Sequence, residues 1–241
     1  MSDGSPGSPS QWCRWDLTPA EAIVLQRLAA GAVEHADRFS DLRTIAGVDV
    51  SYTGPGRGGT ARAAAVLMDF ASLTVLAEAA VEMPVLFPYV PGLLTFREAP
   101  AAVAAINALP LPPDLLLCDG QGIAHPRRCG VASHLGLALS LPSIGVAKSR
   151  LTGTFEEPAR EKGAWTPLLD GQELIGACLR SKTNVRPLFV SIGHRVSLQT
   201  ALRVVLHCST RWRLPEPVRL ADRLTKTRSP AADPSAPLAG C

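Results

Sequence analysis

Between residues 44 and 83 three strand-like runs follow one another with only short connections, at 44–52, 61–70 and 73–83. After residue 93 the grammar changes to alternating helix and strand. The pattern predicts a helix over 93–109 with a break near Pro100, then a fully apolar strand over 114–118 and a helix over 130–139. Strands are expected over 143–147, 174–179 and 187–192, and two closing helices over 198–207 and 215–224. A meander followed by such alternation fits one α/β domain built on a mixed sheet, antiparallel at one side and parallel at the other, with flanking helices. The strands are too few and irregular for a (β/α)₈ barrel. Ahead of the meander, Thr18-Pro19-Ala20-Glu21 has the form of a capping box with Pro at the first helical position, so a helix is expected over 19–35.

The chain can fill the core that this sheet needs. With 46% hydrophobic residues among 241 and a mean hydropathy of +0.15, a mostly disordered chain is excluded. The Pro/Gly/Ser/Ala-rich stretches 1–10 and 227–241 cannot bury a core and are expected to be disordered tails around a single domain over 11–226. The longest stretch free of Asp, Glu, Lys and Arg, 129–147, is interrupted by His134, serines and Pro142, so no membrane span is expected. The first 20 residues hold no apolar signal core, and the six cysteines form no C-x-x-C pair. Reduced thiols in a cytoplasmic compartment follow as the expectation, without a structural zinc site.

A net charge of +3 says little, but its distribution says more. Residues 180–228 carry eleven Lys/Arg against Glu216 and Asp222 alone. Basic asymmetry of this kind suits a polyanion, although a solvated basic face would look the same.

Two carboxylates stand out against this background. Asp49 lies mid-strand in Ile45-Ala46-Gly47-Val48-Asp49-Val50-Ser51, on the face shared with Ile45, Gly47 and Ser51. A buried carboxylate there costs several kcal/mol unless a basic partner or a metal ion compensates it. Asp119 ends Leu115-Leu116-Leu117-Cys118, where the carboxyl end of a strand opens onto a ligand crevice in α/β sheets. If the two strands are neighbours, their carboxylates can share hard cations such as Mg²⁺, and metal ions so held can clamp a phosphodiester. Glu98 and Asp222 are candidates for the remaining ligands, each with an ordinary alternative: a solvated pair with Arg97 for Glu98, and an i,i−3 pair with Arg219 for Asp222. His125 and Lys148 are the polar residues expected beside the acids, Lys148 because it follows the apolar strand ending at Ala147. Pro88-Tyr89-Val90-Pro91 holds one of only two tyrosines stiffly on a loop, from which it could enter a base stack. The Gly-rich turn 54–59 lacks the Gly-Lys-Ser/Thr ending of a phosphate-binding loop.

Taken together these pieces resemble the endonuclease V family. The resemblance rests on Gly47-Val48-Asp49-Val50-Ser51, Pro88-Tyr89-Val90-Pro91-Gly92, Phe96-Arg97-Glu98, Asp119-Gly120-Gln121-Gly122 and His125-Pro126-Arg127-Arg128. It continues through Gly145-Val146-Ala147-Lys148-Ser149, Gly193-His194-Arg195-Val196-Ser197 and Arg213-Leu214-Pro215-Glu216-Pro217. These motifs occur in the family's order. The resemblance implies a ribonuclease H-like fold and a Mg²⁺-dependent nick, with Mn²⁺ able to substitute, placed 3′ to a deaminated base. It implies that Asp49 and Asp119 bind the metal, that Glu98 and Asp222 support them, and that Lys148 is the site lysine. Tyr89 would be the wedge that fills the gap left by a flipped base, and Gly120, Gln121 and Gly122 would line the base pocket. His125, Arg127 and Arg128 complete the substrate-binding set. The implied partner is DNA containing deoxyinosine, or inosine RNA for a ribonuclease of the same fold, and the implied protein is a monomer without membrane contact.

Overall fold

The computed structural model describes residues 9–39, 41–53 and 59–227. Most of both tails, and most of the Gly-rich turn, therefore lie outside the described residues. Across the end of the expected N-terminal tail, Pro9–Trp12 forms a short 3₁₀ turn whose Trp12 is buried.

Helix α1 (Pro19–Ala32) starts at the expected capping box: Glu21 N–H donates to Thr18 Oγ1, and Thr18 N–H donates to a Glu21 carboxylate oxygen. The meander follows as β1 (Thr44–Thr53), β2 (Thr60–Asp69) and β3 (Val75–Pro84). Beyond it come α2 (Thr95–Asn107), β4 (Leu115–Asp119), α3 (Val131–Leu139) and β5 (Ser143–Ala147). The chain then runs through β6 (Trp165–Asp170), β7 (Glu173–Leu179), β8 (Leu188–His194), α4 (Leu198–Cys208) and α5 (Glu216–Lys226). One sheet holds the strands in the order β3-β2-β1-β4-β5-β8-β7-β6. Only β1-β4 and β4-β5 pair in parallel, so the parallel part is central and antiparallel strands flank it on both sides.

Two local expectations are corrected. Pro100 does not break α2: the proline lies inside the helix, past its first turn, and the helix continues to Asn107 at the loss of one backbone hydrogen bond because its buried face is packed on the sheet. Ala99, Ala101, Ala102 and Ala105 are buried and hold that helix against the sheet. Strand β6 was not expected, since Pro167 interrupts its apolar pattern. It is an edge strand, the one place in a sheet where a missing N–H costs little.

Period-2 alternation sorts the two layers of the core. Ile45, Leu115, Leu117 and Ile144 face α4 and α5, whereas Ala46, Val48, Leu116 and Cys118 face α2 and α3. No helix among the described residues is long and apolar enough to cross a membrane.

Candidate active site

The parallel pairing of β1 with β4 stops where β4 ends, while β1 runs on beside β2. The last paired positions of β1 and β4 are Val48 and Cys118, so Asp49 and Asp119 are the next residues on neighbouring strands. Asp119 pairs with Val146 of β5, and Lys148 stands two residues further on. Asp222 arrives from α5, which can press onto β1 because Gly47 has no side chain. A Cβ there would lie 2.1 Å from the carbonyl carbon of Pro217. Oxygens of Asp49, Asp119 and Asp222 come within 4.8 Å of one another. The Thr225 hydroxyl, one turn on, lies 3.3 Å from Asp49 Oδ2 and donates to the Asp222 carbonyl.

Asp222 does not make the ordinary pair with Arg219. Arg219 is taken by Glu216, and Asp222 faces Lys226 at 2.6 Å and Lys148 at 3.5 Å. Lys148 Nζ also sits 2.5 Å from Asp119 Oδ2. Glu98 stays outside this cluster and stands behind it, 9% exposed, accepting a hydrogen bond from the Tyr52 hydroxyl at 3.3 Å. Nor does Arg97 pair with it; the guanidinium donates to the Phe87 carbonyl and lies over the Tyr52 ring.

Like charges crowded this closely resist ionisation. Burial, then the charges of Asp119 and Asp222, push the Asp49 carboxyl up to about 7. Burial and the nearby Asp49 push Glu98 up to about 8. For Asp222 burial works in the same upward direction, but Lys226 and Lys148 hold it below the usual carboxylate range. Burial would lower Lys148, and Asp119 raises it instead. Three converging carboxylates, one of them starved of positive charge, are the hard oxygen donor set that Mg²⁺ or Mn²⁺ accepts. The residues therefore fit a divalent cation held by Asp49, Asp119 and Asp222.

Beside the acids opens a cavity of about 430 Å³. Tyr89, Gly120, Gln121, His125 and Lys148 all line it. Tyr89 is 66% exposed at its edge. Gln121 is buried; its amide N–H donates to the Ser149 carbonyl, and its Oε1 has no hydrogen-bond partner among the described residues. His125 is buried with both ring nitrogens engaged: Nε2 donates to the Gly92 carbonyl, and Nδ1 accepts from Arg127 N–H. Burial, then Arg127, push its pKa down to about 4, so the ring is neutral.

Three of the expected substrate-binding residues do not line the cavity. Gly122 gives its N–H to Ser191 Oγ and packs against the Ile192 backbone. Arg127 spans Gln26 and the Gly92 carbonyl, and Arg128 pairs with Asp170 and Glu173. Both arginines brace loops behind the cavity. Sequence reasoning missed Tyr52, Thr225 and Gln26. Alternation from Asp49 would have placed Tyr52 on the face of Val48 and Val50, where Glu98 arrives. The i+3 spacing from Asp222 would have found Thr225. Gln26, fully buried on α1 and bonded to the Gly92 and Cys129 carbonyls, has no local signature.

Comparison with known proteins agrees with this geometry. A family model for endonuclease V matches residues 27–223. Endonuclease V of Azotobacter vinelandii is 56% identical over 215 residues, covering 89% of this chain and 96% of that protein. The crystal structure of endonuclease V from Streptomyces avermitilis superposes with a TM-score of 0.83 at 45% identity, covering 88% of this chain and 92% of that one. Endonuclease V of Ciona intestinalis, solved with a 24mer DNA containing an inosine followed by a ribo-adenosine, has a TM-score of 0.74 at 28% identity and covers 86% of this chain and 95% of its own. The shared fold is ribonuclease H-like. Matched by the family model over most of its length and by relatives of its own size, this chain belongs to the endonuclease V family of metal-dependent nucleases.

Proposed function

We propose that this protein is a Mg²⁺-dependent endonuclease of DNA repair. It recognises deoxyinosine in DNA and nicks the strand 3′ to the lesion, leaving a 3′-hydroxyl and a 5′-phosphate. One observation carries the reading: Asp49, Asp119 and Asp222 converge immediately beside a cavity of base-binding size, with Tyr89 at its edge. A binding module without catalysis has no use for crowded carboxylates next to phosphates, because they repel the polyanion.

When bound, the divalent cation supplies Lewis-acid polarisation of the scissile phosphate and offsets its charge. The side chains do the rest. Lys148 presents a point charge at the same edge of the sheet and can meet a phosphate oxygen. Gln121 Oε1, unpaired in the cavity wall, is an acceptor for an N–H on the edge of an extruded base. His125 stays neutral and fixes Gly92, which closes the tetrapeptide loop carrying Tyr89. Tyr89 enters the gap that the flipped base leaves in the stack.

A second reading is an inosine-directed endoribonuclease of the same fold. The Ciona relative favours it, since its bound strand carries a ribonucleotide directly after the inosine. The test is to incubate the protein with matched inosine-DNA and inosine-RNA, with and without Mg²⁺. Mg²⁺-dependent nicking of the DNA supports the main reading, and cleavage of the RNA alone moves the assignment to the second. No cleavage of either strand with Mg²⁺ or Mn²⁺ sinks both.

A further inference from the structure

The loop between α4 and α5 carries a feature that the reading above does not use. Trp212 is 45% exposed on it, with the Arg211 guanidinium over the ring at 5.3 Å from its centre and the Arg219 guanidinium over it at 5.5 Å. The loop is pinned from beneath at alternate residues. Lys162 Nζ donates to the Ser209 carbonyl at 2.5 Å, Lys182 Nζ to the Arg211 carbonyl at 2.9 Å, and Ser181 Oγ to the Arg213 carbonyl at 2.6 Å. Three side-chain donors on three carbonyls of one short loop hold an aromatic residue out in solvent, where apolar burial gives no reason for it to stand.

This platform is joined to the acid cluster in two ways. Arg213, next to Trp212, donates to the carbonyls of Lys148 and Pro187. Its guanidinium also lies within electrostatic reach of Asp119 and Arg186. On α5, Arg219 stands between Asp222 and the Trp212 loop, whereas Arg223 and the Asp222-paired Lys226 lie beyond Asp222; Val218, Ala221 and Thr225 are buried behind them. Arg219 is neutralised by Glu216, but Arg211 and Arg223 are exposed and pair with no acid among the described residues.

We infer that the strand carrying the scissile phosphate continues from the acid cluster past Arg219 of α5 and rests on Trp212, where a base takes the place of the Arg211 guanidinium on the ring and Arg211 swings to meet a phosphate. The inference rests on the nuclease reading and adds a path for the substrate beyond the cleaved bond. Arg219 is one helical turn from Asp222, about 4.5 Å of rise. Adding the reach of the Arg219 side chain, about 6 Å, and its 5.5 Å to the ring puts Trp212 at most on the order of 16 Å from Asp222, about five nucleotides at 3.4 Å of rise per strand. Aromatic platforms flanked by cations are a general means of holding nucleic acid without reading its sequence.

The test measures binding of a labelled inosine-containing DNA to the full chain in EDTA, so that no strand is cut, across about 50 to 200 mM salt. Trp212→Ala should bind about ten-fold more weakly, and Trp212→Phe should recover most of that loss because it keeps a ring. Arg211→Ala should reduce the slope of log affinity against log salt by about one. Trimming the strand stepwise from about five nucleotides to none on one side of the scissile bond should bring the wild type down to the Trp212→Ala level. A Trp212→Ala deficit that survives trimming of each flank in turn overturns the path, and so does wild-type affinity and slope in both the Trp212→Ala and Arg211→Ala variants. A wild type that binds neither inosine-containing nor undamaged DNA would instead overturn the nuclease reading itself.

Discussion

Asp119 ends β4 with the Lys148 ammonium 2.5 Å from one oxygen, and its carboxylate is one of three that can share a cation. Asp119→Asn keeps the shape and removes the charge. The variant should lose cleavage while retaining most of its affinity for the lesion, and any rise in melting temperature on adding Mg²⁺ should shrink with it. Near-normal Mg²⁺-dependent turnover would refute the assignment. Tyr89 makes its contribution elsewhere. Its ring is mostly exposed and held between two prolines, so little is lost in ordering it on insertion. Tyr89→Ala should therefore reduce kcat/KM on duplex inosine-DNA more than on single-stranded inosine-DNA, because only the duplex incurs an unstacking cost of a few kcal/mol. Equal losses on both substrates would make the ring a general contact.

At the level of the element, the site depends on how closely α5 approaches β1. Gly47 is the point of contact, and a Cβ there would meet the Pro217 carbonyl group and the Val218 nitrogen, all backbone atoms that cannot rotate away. Gly47→Ala should displace the start of α5, destabilise the fold by about 1–3 kcal/mol and move Asp222 off the other two acids. Urea unfolding gives the first effect, and cleavage assayed well below the melting temperature gives the second. If activity fell no more than the folded fraction, the approach of helix to strand would matter for packing alone. The same helix explains why Asp222 sits as it does: Thr225 ties it to β1 through Asp49, and the Ser51 hydroxyl donates to the Thr225 carbonyl.

On the scale of the whole molecule, burial of His134 makes stability depend on pH. His134 is fully buried with Nε2 bonded to the Trp12 carbonyl, and burial pushes its pKa down to about 4. In the unfolded chain the value is about 6.5, so below that pH the unfolded state takes up the proton first. The stability contributed by a neutral His134 is complete above about pH 6.5 and is lost as pH falls toward 4. Against a His134→Gln variant, in which the other titrating groups cancel, the wild type should lose stability steadily over that window. Urea midpoints at pH 7, 6 and 5 are the measurement, and a difference that stays flat would mean that folding leaves the pKa of His134 at its unfolded value.

The order and type of most elements, and the positions of Asp49 within a strand and Asp119 at the end of one, could be read from the amino-acid sequence, because they depend on local rules. Alternation of period two, a capping box at Thr18 and Glu21, and an apolar run ended by a carboxylate each act over a few residues. Those rules also supplied enough motifs in order for the resemblance to be drawn. Other features were decided only in three dimensions. That α2 runs through Pro100 and that β6 accepts Pro167 depended on what packs beside them. Asp222 is drawn into the cluster by contacts 176 residues apart, Glu98 is left behind it, and Arg127 and Arg128 turn to Gln26, Asp170 and Glu173. A charged side chain goes to the partner that folding brings within about 4 Å, and the local pattern of the chain carries no record of which residues those will be.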